Sequence, residues 1–178
     1  MIEKVILDCD NSMGILFNEV DDGLTLLYLL GISEIELMGI TTTFGNAPID
    51  KVLGKTQQLA SKLQLNLPIH KGMGRKDQAP STPAAQFLVK MVNQYPHEIT
   101  LLATGPLSNL YAAAQLDPDF YQKVKRIATM GGYLNPLKLG YRHLEEMNLS
   151  ADPAASLNVL SAACPITIFP AQACLDAP

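Results

Sequence analysis

Cysteine, positive charge and long apolar runs are all scarce in this sequence, and each scarcity removes a class of protein. The 178 residues include 3 cysteines, Cys9, Cys164 and Cys174. Their number is odd and their spacing matches neither a zinc site nor a redox CxxC pair, which suits a reducing, cytoplasmic location. Lys plus Arg number 13 against 17 Asp plus Glu, a net charge of −4, and no basic stretch is present to replace counterions along a phosphate backbone. Nucleic acid is therefore not an expected partner. The longest aliphatic run, Leu24 to Ile32, is interrupted by Thr25 and Gly31 and reaches about half of the roughly 20 residues a bilayer span requires. No membrane partner is expected, and the opening MIEKVILDCD lacks the basic and apolar regions of a secretory signal. Neither GxGxxG nor GxxxxGK[ST] occurs, so nothing argues for a dinucleotide or P-loop site. His70, His97 and His143 are scattered, with no HxxxH spacing and no evident Ser or Cys partner; a catalytic triad is unsupported, and surface or loop positions are expected for all three.

What is abundant points to a folded α/β chain. The composition is 48% hydrophobic and 17% charged, far from that of disordered proteins. The length predicts a single domain over residues 1–178, burying roughly 70% of the surface exposed when unfolded, without a disulfide or metal staple. Apolar segments of strand length alternate with segments of helical period. Strands are predicted at Lys4 to Leu7, Ile35 to Thr43, Leu67 to His70, Ile99 to Ala103, Ile127 to Met130 and Ile166 to Phe169. Between them, Leu24 to Leu30 reads as a buried helix entered through Asp21 and Asp22. Val52, Leu53, Leu59, Ala60 and Leu63 mark an amphipathic helix, and further helices open at Pro83, Pro106 and Asp152-Pro153. Strands apolar on both faces and separated by helices predict a doubly wound, Rossmann-like, mainly parallel sheet with helices on both faces. Gln78 to Pro83 reads as a loop suited to a lid.

In open α/β sheets ligands bind beyond the carboxyl ends of the strands, and those positions are polar here. Asp8 and Asp10 follow the first strand, Asn46 the second and Thr104 the fourth. Thr129 ends the fifth, before Gly131-Gly132, and Glu146 and Asn148 lie in a loop before the last predicted helix. Asp8, Asp10, Asp21 and Asp22 place four carboxylates on one strand-loop-helix unit, where like charges raise one another's pKa unless a cation neutralises them. An oxygen-only donor set favours Ca²⁺ or Mg²⁺ over zinc. Taken singly these residues have plainer readings: Asp21 and Asp22 complementing a helix dipole, Asn46 a turn residue, Glu146 and Asn148 a solvated loop.

Taken together the motifs VILDCDNSMGILFNEVDDGLTLL, GITTTFGN, LLATGPLSNL, IATMGG, and EEMN followed by ADPAA resemble, in order, those of the inosine-uridine preferring nucleoside hydrolases. The resemblance implies a Rossmann-like fold, a tightly held Ca²⁺, hydrolysis of a ribonucleoside to free base and ribose as part of purine or pyrimidine salvage, and a homodimer or homotetramer. It implies that Asp10 is both a Ca²⁺ ligand and the base for the attacking water, that Asp22 is a second ligand, and that Thr129 offers its backbone carbonyl to the ion. Asp21, Asn46, Glu146 and Asn148 would contact the sugar, with Asp8 in support. The chemistry is coherent, because carboxylates stabilise the oxocarbenium-like transition state while the ion polarises water and orients the ribose diol. Two departures bear on activity. The segment between Asp10 and Asp21 is longer than the family's DxDxGxDD, with Asn11-Ser12 where Pro-Gly is typical, and Gly140 stands where an Asn is frequent. The family's C-terminal Asp and His also have no counterpart, since neither Asp152 nor Asp176 has the matching context in a chain that stops at Pro178. Weak or absent turnover by a shortened relative is therefore expected. The alternatives are a ribose-binding or structural remnant and, from Asp8 and Asp10 as a DxD pair, a haloacid-dehalogenase-like phosphatase.

Overall fold

The computed structural model describes residues 2–139 and 141–175; Gly140, Asp176 and Pro178 lie outside the described residues, as does the side chain of Cys174. The continuous apolar runs form the strands β1 (Glu3–Cys9), β2 (Ile35–Thr42), β3 (Ile69–Lys71), β4 (Ile99–Ala103), β5 (Arg126–Met130) and β8 (Ile166–Phe169). They pair as one six-stranded sheet in the order β3-β2-β1-β4-β5-β8, every pair parallel. The order reverses between β1 and β4, which opens the crevice where such sheets take ligands. A small antiparallel hairpin, β6 (Lys138–Leu139) with β7 (Arg142–His143), follows β5.

The alternation along β1 explains why both faces are covered. Ile6 joins a core with Leu88, Leu101, Leu110, Phe120 and Ile127, which packs α3 (Pro83–Gln94), α4 (Ser108–Leu116) and the short α5 (Phe120–Lys123) on one side. Leu7 and Cys9 point the other way, into a smaller core with Leu26, Leu29 and Ile40 under α1 (Asp21–Gly31); α2 (Ile49–Lys62) adds Leu59 beside it. Each large side chain buried this way contributes roughly 1.5–3 kcal/mol relative to exposure. Two helix starts are built as their residues predict: Thr82 accepts from Ala85 N–H ahead of Pro83, and Asp152 accepts from Ala155 N–H ahead of Pro153 in α6 (Pro153–Leu160).

Some expectations are corrected. The Leu24 to Leu30 helix is not buried: only Asp22, Gly23, Leu26 and Leu29 of α1 face inward, while Leu24 is 54% and Tyr28 72% exposed. A helix lying on one sheet face buries a single stripe at i, i+3 spacing, whatever the polarity of its other side. Asp8 lies within β1, not after it, paired with Thr41 and Ala103. His70 is no loop histidine; it sits in edge strand β3, half-buried, with its ring 4.3 Å from that of Phe87. The elements α5, β6, β7 and α7 (Ala171–Leu175) are too short to leave a periodic signal. No helix among the described residues is long and apolar enough to cross a membrane.

Candidate active site

Asp10 emerges from β1 at the crevice and is 2% exposed. Its Oδ2 accepts from Asn46 N–H at 2.5 Å, while Oδ1 is buried with no partner among the described residues. Two glycines make this packing possible. A Cβ on Gly45 would lie 1.9 Å from Asp10 Oδ2, and one on Gly105 would lie 2.6 Å from Oδ1. Gly45 of GITTTFGN and Gly105 of LLATGPLSNL are therefore demanded by the close approach of a carboxylate.

Asp22, in the first turn of α1, points inward and is 2% exposed, whereas its neighbour Asp21 faces out. Among the described residues neither Asp22 oxygen meets a donor in good hydrogen-bond geometry, although the Asp10 carboxyl and the Thr104 hydroxyl stand near enough to influence its charge. Burial pushes the pKa of Asp10 up to about 6 against the Asn46 N–H. Burial, reinforced by the charge of Asp10, pushes Asp22 well above the usual carboxylate range. Asp8, wholly buried, is pushed up to about 7 by burial despite hydrogen bonds from Asn109 and Thr41. Three buried acids raised together do not all ionise without a nearby positive charge.

Asp8 is held by Thr41 Oγ1 at 2.5 Å and Asn109 Nδ2 at 2.7 Å, both donating to its Oδ1; its Oδ2 has no partner among the described residues. Thr43 and Thr129 add two buried hydroxyls that have no partner among the described residues. Asn109, Thr41 and Thr43 were not expected as site residues. The one available signal for Asn109 was a polar residue inside the otherwise apolar stretch that follows Gly105-Pro106.

Next to the acids is a cleft of about 190 Å3 whose walls include Asp21, Asn46, Thr104, Glu146 and Asn148. It is joined to the buried pair through Asn46, whose N–H holds Asp10, and Thr104, whose hydroxyl neighbours Asp22. Asn148 Nδ2 donates to Thr104 O at 2.9 Å and Met130 O at 3.1 Å, bridging the ends of β4 and β5. Glu146 is engaged differently. Its Oε1 accepts from the N–H groups of Gly132, Asn148 and Leu149, and its Oε2 from Ser150 N–H. Burial opposes ionisation of Glu146, but those N–H donors hold its pKa below the usual range. Gly132, at φ +71°, supplies the left-handed turn that aims one of them. Thr129 lies fully buried in β5, opposite Ala103 of β4. A larger cavity of about 520 Å3 beside His70 and Phe87 contains none of these acids, whereas one of about 380 Å3, lined by His143 and Glu145, shares Glu146 with the cleft.

The donor set fits a hard cation in kind. The orphaned atoms of Asp10 and Asp22 are buried carboxyl oxygens, and the other buried side-chain atoms without partners among the described residues, on Asp8, Thr43 and Thr129, are oxygens as well. It is sparse in number: among the described residues no three His, Cys, Asp or Glu side chains converge on one point.

A family model described as inosine-uridine preferring nucleoside hydrolase matches residues 5–177. The chain belongs to this family. It is 27% identical to a pyrimidine-specific ribonucleoside hydrolase, RihB, of Escherichia coli strain SE11, over 93% of this chain and 58% of that protein. It is 28% identical, over the same shares, to RihB of Escherichia coli O9:H4 strain HS. Among solved structures, a purine-preferring ribonucleoside hydrolase from Gardnerella vaginalis superposes with a TM-score of 0.79 at 25% identity, over 94% of this chain and 60% of that one. An inosine-guanosine nucleoside hydrolase, at a TM-score of 0.83 and 19% identity over all of this chain and 64% of that one, shares the fold. The chain thus spans a little under three fifths of the length of these curated relatives. Membership attributes the Asp8-Cys9-Asp10 pattern to nucleoside hydrolases rather than to a phosphatase.

Proposed function

We propose that this rim binds a ribonucleoside and hydrolyses its N-glycosidic bond. The observation that carries the reading is the pair of buried carboxyls, Asp10 and Asp22, with three oxygens that have no donor among the described residues, beside a cleft walled by Asp21, Asn46 and Asn148. Asp10, Asp22 and the Thr129 carbonyl would hold a Ca²⁺, with Asp8 in support. When bound, the ion would polarise water and orient a vicinal diol. Asp10 would take a proton from the attacking water as the water oxygen bonds to the anomeric carbon, the bond to the base nitrogen breaking with its electron pair leaving on the base, which takes up a proton from solvent. With a cation held beside it, Asp10 would be ionised at neutral pH, as the base role requires. Asp21, Asn46 and Asn148 orient the ribose. Glu146 contributes by shaping the 146–150 turn as well as by facing the sugar.

A second reading, ribose or nucleoside binding with little turnover, is favoured by one observation: among the described residues no histidine lines the cleft itself, His143 lining only the neighbouring cavity that shares Glu146 with it. With only two carboxylates around the ion, cation affinity and turnover by residues 1–178 alone should be weak. A soluble homo-oligomer acting in the cytoplasm on nucleosides for salvage completes the proposal. The relatives' names divide between pyrimidine and purine substrates, so uridine and inosine are both tested. Reducing-sugar release is followed with and without Ca²⁺, alongside calorimetry. Calcium-dependent release supports hydrolysis, and saturable binding without release supports the second reading. Neither binding nor release overturns both.

A further inference from the structure

Asn109, near the start of α4, is fully buried and joins three segments of the rim. Its Nδ2 donates to Asp8 Oδ1 at 2.7 Å in β1 and to Thr42 O at 3.0 Å in β2, and its Oδ1 accepts from Met73 N–H at 2.8 Å just beyond β3. The fit is close: a Cβ on Gly72 would come within 2.1 Å of Asn109 Oδ1. From this amide two chains of contact lead to the acid pair. One passes through Asp8, two residues before Asp10 on the same chain segment, whose Oδ1 is held by Asn109 and Thr41 while Oδ2 has no donor among the described residues. The other passes through Met73, whose carbonyl accepts from Phe44 N–H at 2.9 Å; two residues on, Asn46 N–H holds Asp10 Oδ2.

We propose that Asn109 is a positioning residue for the cation cradle, fixing the rotation of the Asp8 carboxyl and the height of the 44–46 turn that holds Asp10. This rests on the reading of Asp10 and Asp22 as cation ligands. An amide serves where an acid would not, because the same side chain must donate to a carboxylate and a carbonyl while accepting from an N–H. Groups that orient a metal's ligands typically change metal affinity by about 10- to 100-fold when removed.

The test measures Ca²⁺ affinity by calorimetry at one pH, well below the melting temperature, for the unaltered chain, Asn109→Asp, Asn109→Ala and Leu110→Ala. Asn109→Asp keeps the shape and the acceptor for Met73 but removes both donations. Leu110→Ala perturbs core packing at the next residue of α4 without touching Asp8. Affinity at least about tenfold weaker in both Asn109 variants, with Leu110→Ala binding normally in spite of a lowered melting temperature, is the expected result. Normal affinity in the Asn109 variants, or equal weakening in Leu110→Ala, overturns the proposal and leaves the cation site standing. An unaltered chain that binds no Ca²⁺ overturns the site as well. Should neither Asn109 variant fold, Thr41→Val frees the same Asp8 oxygen from the β2 side, and an unchanged affinity there overturns the proposal.

Discussion

The two acidic ends of the rim differ in what their oxygens do. At the β1 and α1 end, Asp10 and Asp22 are buried, close together and short of donors. At the β5 end, Glu146 is partly exposed and both its oxygens are occupied by backbone N–H groups of its own turn and of Gly132. An acid saturated by the backbone stabilises the fold and is ready without help; an acid left unsatisfied weakens the fold until something positive arrives. The contrast separates a ligand-dependent part of the site from a self-sufficient part.

The largest expected effect would come from removing charge at the first end. Asp10→Asn should abolish measurable Ca²⁺ binding and lower any turnover by about 10²- to 10⁴-fold. It should leave the cation-free chain as stable as before, or more so, because an isosteric neutral group relieves a repulsive pair. A clear loss of cation-free stability in denaturant melts would break the contrast.

The pH dependence of the cation-free chain comes next. Burial raises the folded pKa values of Asp10 and Asp8, to about 6 and about 7, above those of the unfolded chain. Folding therefore takes up protons between roughly pH 4 and 7. Stability is fully present below the unfolded pKa near 4 and is lost as pH rises through the folded values. Thermal melts across that window should show the decline, and saturating Ca²⁺ should flatten it.

Close packing around Asp10 gives the third prediction. Gly45→Ala forces a methyl group against the carboxylate and should destabilise by about 1–3 kcal/mol, with cation binding weakened as well; urea melts and calorimetry read both. At the other end of the rim, Glu146→Gln should cost about 1–2 kcal/mol of stability through weaker N–H bonds while leaving Ca²⁺ affinity unchanged. A fall in affinity there would erase the distinction between the two ends. Asp21→Asn is the mildest: exposed at the helix entry, it should shift stability by no more than about 0.5 kcal/mol and weaken nucleoside binding alone, as titration with ribose and uridine would report.

The strands and capped helices were legible because burial on two faces and Pro-marked helix starts leave strong local patterns. The inward turn of Asp22 against the outward turn of Asp21 follows from helix geometry once α1 lies on the sheet, but the outer face of that same helix was misread because apolar composition does not say which side meets a partner. Asn109 was invisible as a site residue for a different reason. Its partner Asp8 is 101 residues away, and no spacing rule links a helix amide to a strand carboxylate at that separation.

The order of strands and helices, and the collection of acids at strand ends, were set by the sequence itself, since periodicity and caps act over a few residues. Which of those acids are starved of donors and which are satisfied was decided only when distant backbone N–H groups, glycine contacts and the Asn109 amide came together. Hydrogen-bond satisfaction is a property of three-dimensional neighbours, and burial makes it count.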